Sequence, residues 1–363
     1  FPVLLISSFS SFILFFPRPS KSTPRYSSAA SDVDKGQELE VSCRSGVFTA
    51  SQIDKGKFDV YEIFARFGSW SLVAYSEDGG ARVELEENRR PQVCKDDFSV
   101  SIDGRKVKFD YAYVMQHGTP GENGLMQGYL EMLGIPQSSC SAFVSAMTFD
   151  KFSCKNYLKD VDFVRCAKDM FIRRNELDAS LPSRIVEKLG LPVFVKPTDS
   201  GSSFGVTKVK DISGFDEAFR LAFSEGKTVL VEEAVPGREL QCAVYRGSDG
   251  ALRALPVIEI VSENEFFDYD AKYNGKSQEI CPARISEAER ELIQEASRKI
   301  YSRLDCSGVV RIDFILNGDE LFFLEINTIP GMTAASLVPK MIRTAGLSIS
   351  GFLSEVIAAT SAR

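Results

Sequence analysis

The 363 residues carry 43 basic and 50 acidic side chains, a net charge of -7, and 44% of them are hydrophobic. This length and composition predict a globular protein of two or three domains, and the acidic balance argues against a nucleic acid or an anionic membrane as partner. The single histidine, His117, excludes metal sites that need several imidazoles, so a bound metal is expected to have oxygen ligands. The eight cysteines form no C-x-x-C motif, which predicts free thiols in a reducing compartment.

The first 31 residues differ from the rest in composition. They contain no acidic residue, they are rich in serine, and their two apolar stretches, 3–6 and 12–16, are too short to span a membrane. Such a composition is typical of an organellar transit segment or of a signal remnant, and a wrongly assigned start is a third interpretation. We therefore expect residues 1–31 to be a leader that lies outside the fold.

The next segment alternates strand-like and helix-like patterns. The runs 58–64 and 69–75 read as strands, and YAYVMQHG at 111–118 leads through a Gly-rich turn into a helix at 125–133. This order predicts an α/β domain over residues 32–138. Because ligands of open α/β sheets bind at the carboxyl ends of strands, His117 is a candidate ligand-binding residue, with a purely structural role as the alternative.

A Gly/Ser loop, GSSFG at 201–205, marks the central domain, predicted over residues 139–233. The loop matches the G-x-S-x-G nucleophile elbow, and pairing Ser203 with His117 would indicate a serine hydrolase. An elbow joins a strand to a helix, however, whereas this loop lies between two strand patterns, and the histidine of that fold follows the serine. With Lys196 just before it, the loop favours a cover over a polyphosphate, and a plain hairpin and the hydrolase remain as alternatives.

The third domain, predicted over residues 234–363, contains a β-hairpin pattern, RIDFILNGDELFFLEIN, at 311–327. Period-two alternation places Arg311 and Asp313 on one face of the first strand. It likewise places Glu325 and Asn327 on one face of the second strand, opposite to Leu324. If the connecting loop has an odd number of residues, for example Gly318 to Glu320, Asp313 lies opposite Glu325 and Arg311 lies opposite Asn327.

Two carboxylates that face each other across a strand pair repel unless a cation joins them. Two carboxylates and a carboxamide oxygen are ligands that Mg²⁺ accepts while it keeps positions for phosphate oxygens. Asp313, Glu325 and Asn327 therefore predict a metal site, with a solvated hairpin face as the alternative.

The hairpin continues into NTIPGMTAASLVPK at 327–340, where a Pro-Gly loop precedes a predicted helix start. Backbone N–H groups at a helix start bind a carboxylate or an oxyanion, although an ordinary connection has the same pattern.

Six motifs, HGTPGENG, VKPTDSGSSFGVTKV, VEEAVPGRE, EFFDYDAKYN, RIDF and LEINTIPGMTAASLVP, occur in this order between residues 38 and 353. Together they resemble the D-alanine:D-alanine ligases of the ATP-grasp superfamily. The resemblance implies a multidomain α/β and α+β chain, an ATP-grasp fold preceded by a Rossmann-like (pre-ATP-grasp) domain. It also implies an ATP-dependent ligase that joins two D-alanines through a D-alanyl phosphate, for peptidoglycan precursor synthesis.

The resemblance assigns roles by position. It implies that ATP is bound by Lys151, Lys196, Ser203, Glu232, Glu233, Val235, Glu239 and Lys272, and two Mg²⁺ or Mn²⁺ ions by Asp313, Glu325 and Asn327. The implied catalytic residues are Glu38, Ser202, Tyr273, Arg311 and Gly331, and the implied substrate-binding residues are His117, Ser336 and Leu337. The segment 262–280 would act as a lid. The implied protein is a homodimer in the cytoplasm, or in an organelle stroma if the leader is a transit segment, with ATP and D-alanine as its small-molecule partners.

The chain departs from this family at its start. The family begins with a buried strand and a GG-x-S-x-E loop, whereas SDVDKGQE at 31–38 contains one glycine and no apolar run. We therefore expect the first sheet to lack a central strand, which keeps a non-catalytic nucleotide-binding homologue as an alternative. Other amino or hydroxy acids are alternative acceptors, and Tyr273 favours amide formation over an ester with D-lactate.

Overall fold

A computed structural model describes residues 11–15, 35–66, 69–199, 201, 204–262 and 277–361, with only the backbone for 11–15, 35–40, 66, 262 and 277. The chain forms three main sheets with helices packed against them. The N-terminal elements are β1 Ser11–Phe15, α1 Lys35–Gln52, β2 Asp59–Arg66, β3 Ser69–Ser76, β4 Val83–Glu84, β5 Ser99–Ile102, β6 Arg105–Lys108, β7 Tyr111–Tyr113 and α2 Leu125–Met132.

The first sheet has the strand order β4-β3-β2-β1-β7, and β1 pairs in parallel with both β2 and β7. The prediction that residues 1–31 lie outside the fold is therefore wrong for residues 11–15, and the first sheet does not lack its central strand. The sequence of β1, SFILF, is a short apolar run that composition does not distinguish from the apolar part of a leader. Its parallel partners begin more than forty residues further along the chain, so no local pattern reveals the pairing.

The second sheet has the order β11-β10-β12-β9 and is covered by an amphipathic helix that buries three phenylalanines. The elements of this region are α3 Ala142–Phe149, α4 Lys151–Leu158, β8 Arg165–Cys166, β9 Asp169–Arg173, α5 Leu181–Leu189, β10 Val193–Pro197, β11 Thr207–Val209, α6 Phe215–Glu225 and β12 Thr228–Glu233. Antiparallel pairing of β10 with β11 agrees with the prediction that the Gly/Ser loop connects two strands.

The third sheet has the order β16-β15-β13-β17-β18-β8, with β14 paired to β13. Its elements are β13 Arg238–Arg246, β14 Leu252–Ala254, β15 Ile258–Ser262, β16 Ser277–Ile280, α7 Glu287–Arg303, β17 Val309–Asn317, β18 Glu320–Asn327, α8 Leu337–Thr344 and α9 Ile349–Ser361. A capping box between Ser286 and Glu289 begins α7.

Residues near 140–166 contribute to the core of the third sheet. Val144, Cys154 and Leu158 from α3 and α4 pack in one buried cluster with residues of β13, β17 and α7. The domain boundaries near residues 138 and 233 stay predictions. α4 thus packs against the third sheet, and its first residue, Lys151, lines both cavities described below.

In the part of the chain that the structure describes, no single helix has the length and apolarity to cross a membrane. By length and composition alone, α8 and α9 pass that test as a pair, bent by 105° at their junction.

The central position of β1 can be tested with proline. Ile13→Pro removes a backbone donor from a strand that has neighbours on both sides, so we expect it to lower the free energy of unfolding by about 2–4 kcal/mol. The control is Val83→Pro in the short edge strand β4, where a loss of about 1 kcal/mol or less is expected. Urea unfolding of both variants measures the difference, and equal losses would contradict the central placement of β1.

Candidate functional site

Two neighbouring cavities lie between the sheets. The larger, of about 780 Å³, is bounded by the second and third sheets, and the smaller, of about 540 Å³, is bounded by α1, the loop after β7 and the start of α8. Lys151 and Glu325 line both cavities, and their Nζ and Oε2 atoms are 3.7 Å apart. The volume of the larger cavity suits a nucleotide. The two cavities meet at the ion pair of Lys151 and Glu325.

Lys151 and Lys196, two of the lysines that line the larger cavity, lie on different elements. Lys151 is the first residue of α4, which is capped by the Asp150 carboxylate accepting from the Ser153 amide at 2.7 Å. The Lys151 amide donates to the Thr198 carbonyl at 2.8 Å, which joins α4 to the end of β10. Lys196 lies on β10 itself and is 6% exposed. The cap and the strand therefore hold two cations at the cavity before any ligand binds.

The hairpin of β17 and β18 pairs Asp313 with Glu325 and Arg311 with Asn327, as predicted. The predicted cause, an odd loop, is wrong: Asn317 pairs with Glu320, so the turn has two residues, and a register shift beside Asp313 leaves Leu324 without a counterpart on β17. This β-bulge also corrects the face assignment, because Leu324 and Glu325 both line the larger cavity. Without the bulge, Asp313 would lie opposite Leu324, and the two carboxylates would not meet.

Arg311 and Asp313 form a buried bidentate pair. The guanidinium Nε and one terminal nitrogen donate to the two Asp313 carboxylate oxygens, each at 2.8 Å. Burial alone would lower the pKa of Arg311, but Asp313, with Glu325 and Glu239, outweighs burial and raises it. Arg311 is therefore a fixed cation in the wall of the smaller cavity.

The start of α8 provides backbone donors to the smaller cavity. Ser336 precedes the helix, Leu337 is its first residue, and both line this cavity together with Gly331. The Ser336 hydroxyl does not cap α8; it accepts from the Thr333 amide at 3.0 Å. The first N–H groups of a helix have no partners within the helix, so this arrangement suits a carboxylate. The predicted helix start within 334–340 is confirmed.

His117 lies in a tight loop at the end of β7. A Cβ on Gly121 would be only 1.9 Å from the Gln116 carbonyl oxygen, so the loop needs glycine at that position. The His117 amide donates to the Ser42 hydroxyl of α1 at 3.0 Å, and its Nε2 is buried without a hydrogen-bond partner among the described residues. Burial, with a smaller contribution from the Arg311 charge, lowers the pKa of His117 to about 4, although a hydrogen bond with the Ile329 backbone acts to raise it.

The structure brings most of the predicted site residues together. The larger cavity is lined by Lys151, Lys196, Glu232, Glu233, Val235, Glu239, Asp313 and Glu325. The smaller cavity is lined by His117, Lys151, Arg311, Glu325, Asn327, Gly331, Ser336 and Leu337. Ser202, Ser203, Lys272 and Tyr273 lie outside the described residues, and so do most of the predicted lid and the side chain of Glu38. The backbone of Glu38 belongs to α1, one turn before Ser42.

Several residues at these cavities were not predicted from the sequence. Arg44, Glu122 and Glu279 line the smaller cavity, and Phe194 and Lys208 line the larger one. Behind the larger cavity lies a buried lysine, Lys155, which is 4% exposed. One signal for it exists in the sequence, because four residues separate Lys151 from Lys155 and helical spacing brings both to one face of α4.

Comparison with known families and sequences gives consistent matches. A model described as the D-ala D-ala ligase N-terminus matches residues 34–140, and one described as the D-ala D-ala ligase C-terminus matches residues 158–358. The D-alanine–D-alanine ligase of Phocaeicola vulgatus is 43% identical over 322 residues, 88% of this chain and 94% of that protein. The corresponding ligase of Bacteroides fragilis is 42% identical over 321 residues, with 88% and 94% covered.

Solved structures extend the match to the fold. The VanG D-Ala:D-Ser ligase from Enterococcus faecalis superposes with a TM-score of 0.80 at 31% identity, over 97% of this chain and 99% of that one. A D-alanine–D-alanine ligase from Bacillus anthracis, solved in complex with ATP, has a TM-score of 0.70 at 25% identity, with 98% of both chains covered. These similarities confirm the predicted fold class, an ATP-grasp fold with a Rossmann-like first domain.

The lowered pKa of His117 predicts a pH dependence of stability. Between its unfolded value of 6.5 and its folded value of about 4, the unfolded chain binds the proton more readily, so stability falls as the pH drops through this window. We expect wild type to lose about 2 kcal/mol more than His117→Gln between pH 7.5 and pH 5. Urea unfolding at the two pH values measures this difference, and parallel losses in both proteins would show that His117 is not responsible.

Proposed function

The chain belongs to the D-alanine–D-alanine ligase family, and on that premise we propose that it uses ATP to join two molecules of D-alanine for peptidoglycan precursor synthesis. The observation that carries this proposal is the meeting of two cavities at Lys151 and Glu325. A ligase of this kind must bring a phosphate donor and a carboxylate together at one point. The larger cavity suits the nucleotide in size, and the smaller one presents a buried arginine and a helix start to an amino acid.

In the larger cavity, the proposed nucleotide lies between apolar walls that include Phe194 and Leu324. Glu232, Glu233 and Val235 follow each other at the end of β12, where they would contact the adenine, and Glu239 on β13 would accept from the ribose hydroxyls. Lys151 and Lys196 would bind the phosphates, since both line the cavity and backbone hydrogen bonds tie together the elements that carry them. From the family resemblance, Ser203 and Lys272 would add further phosphate contacts.

The chemistry of the donor set fits a hard divalent cation. Asp313 and Glu325 face each other across β17 and β18, and Asn327 adds a carboxamide oxygen two residues further on. Within the described ranges no three His, Cys, Asp or Glu side chains form a metal site, so the set depends on Asn327. Mg²⁺ or Mn²⁺ held there would neutralise charge that develops on the transferred phosphoryl group.

The smaller cavity would hold the amino acids. The family resemblance implies that Glu38 binds the ammonium of the first D-alanine together with Ser202 and Tyr273, and His117 lines the cavity in which that amino acid would lie. The second D-alanine would place its carboxylate on Ser336 and Leu337, where α8 begins with backbone N–H groups that have no partner within the helix. Its amine would then point toward the meeting of the two cavities.

The reaction proceeds in two displacements. A carboxylate oxygen of the first D-alanine bonds to the γ-phosphorus, the bond from that phosphorus to the bridging oxygen breaks, and ADP leaves. The amine of the second D-alanine loses a proton and attacks the acyl carbon, and inorganic phosphate leaves. Positioning and charge stabilisation dominate such transfers.

Arg311 and the Gly331 amide would stabilise the oxygen of the tetrahedral intermediate. The bidentate bond to Asp313 fixes the guanidinium plane before substrate binds, so little reorganisation accompanies the reaction.

A homodimer and a cytoplasmic location, where ATP and the precursors are available, stay predictions.

The proposal is tested by measuring ADP release with D-alanine, L-alanine, D-serine and D-lactate offered separately. D-alanine should give the highest kcat/KM, and L-alanine should give no release above background. D-serine and D-lactate test the acceptor, because one similar structure is a D-Ala:D-Ser ligase. ATP binding without release for any acceptor would indicate a non-catalytic homologue and would contradict the proposal.

A matched pair of arginine variants tests the role of Arg311 in the same assay. Arg311→Ala should lower kcat by about 10²–10³ while ATP still binds, because one oxyanion donor is lost. Arg298→Ala, on the outer surface of α7, should keep the wild-type rate. Wild-type turnover by Arg311→Ala would remove Arg311 from the mechanism.

A further inference from the structure

A row of alternating charges extends from the wall of the larger cavity through the buried Lys155 to the partly exposed Asp169. Asp169 on β9 and Glu232 on β12 are directly opposite each other across the strand pair, an arrangement in which two carboxylates repel. Lys155 from α4 reaches between them: its Nζ is 2.6 Å from Asp169 Oδ2, 2.5 Å from Glu232 Oε1 and 2.9 Å from the Ala167 carbonyl oxygen. This lysine is 4% exposed and does not line either cavity.

The second carboxylate oxygen of Glu232 is bound by another lysine, Lys196, which lines the cavity. Burial alone would raise the pKa of Glu232, but Lys196 and Lys155 outweigh burial and lower it to about 2. Each carboxylate oxygen of Glu232 is therefore bound by one lysine.

The proposed function gives both groups other partners, namely adenine for Glu232 and phosphate for Lys196. When Lys196 moves to a phosphate, it leaves one buried oxygen of Glu232 without a donor, which is costly unless a replacement arrives. The 6-amino group of adenine is such a donor. A 6-oxo purine presents an acceptor at the same place and cannot replace the ammonium group.

We propose that Lys155 is a positioning residue for base selection, which keeps Glu232 ionised and in place while Lys196 is exchanged for the 6-amino group of adenine. This inference rests on the proposed use of ATP. Without Lys155, departure of Lys196 would leave a buried carboxylate opposite Asp169 with no cation, so Glu232 would bind a proton or retain Lys196. The Glu232 carboxylate would thereby couple recognition of the base to binding of the phosphates.

The test is the binding of ADP and of IDP, which has a 6-oxo group, measured by calorimetry without D-alanine. Wild type should bind ADP at least about tenfold more tightly than IDP, the effect of one unmatched buried hydrogen-bonding group. Lys155→Met should reduce this ratio to about threefold or less, mainly by weakening ADP, and Lys155→Arg should retain most of it. Lys159→Met, at the exposed end of α4, is the matched control and should keep the wild-type ratio.

Equal weakening of ADP and IDP in Lys155→Met would overturn the proposal, because a purely structural role changes both affinities alike. Circular dichroism and thermal unfolding check that the variants fold. If Lys155→Met does not fold, Lys155→Gln, which keeps a donor but not the charge, must lower the ratio, and an unchanged ratio counts against Lys155. Selective ADP binding in a wild type without D-alanine-dependent ADP release would refute the proposed ligase and leave the role of Lys155 standing.

Discussion

The β-bulge beside Asp313 is the constraint on which the site depends. A two-residue turn alone pairs Asp313 with the apolar Leu324, and one extra residue on β18 brings Glu325 into that position. Two carboxylates then face each other at the point where the two cavities meet. Arg311 and Lys151 offset the repulsion between these carboxylates, and the proposed divalent cation would offset it further.

The same principle holds for three contacts of the site, in which a carboxylate has a cation beside it. Arg311 binds Asp313, Lys151 lies 3.7 Å from Glu325, and Lys155 shares Glu232 with Lys196. Removing one member of such a pair leaves an uncompensated buried charge, which is strongly destabilising. Under the proposed function, a ligand that brings phosphates and a metal would exchange partners with these groups, so substrate binding would rearrange existing ion pairs.

The chemistry of the site was predictable because it depends on local pattern. Alternation along 311–327 places the polar side chains, the Gly/Ser loop lies between two strands, and a Pro-Gly loop precedes α8. The opposition of Asp313 and Glu325 was predicted for a wrong reason, since sequence does not show where a bulge occurs. Register depends on contacts between strands, which a pattern along one strand does not record.

The remaining features depend on contacts between distant segments. β1 is five residues long, and it became a central strand only through parallel pairing with β2 and β7. The proposed role of Lys155 depends on its contacts with β9 and β12, which follow it along the chain. Its helical spacing from Lys151 predicts only that the two lysines share a face of α4. That spacing does not predict a contact with Glu232. Residues 1–31 were predicted to be a leader from composition, which records residue types only. Whether a segment forms a strand in the sheet depends on the strands with which it pairs, and composition does not record that pairing.

The most direct test of the carboxylate hairpin is a crystal structure with ADP and Mn²⁺, in which anomalous scattering locates the metal. The hairpin account predicts Mn²⁺ at about 2.0–2.4 Å from oxygens of Asp313, Glu325 and Asn327, with the ADP phosphates between the metal and Lys196. Metal and phosphates bound away from these three side chains would contradict it.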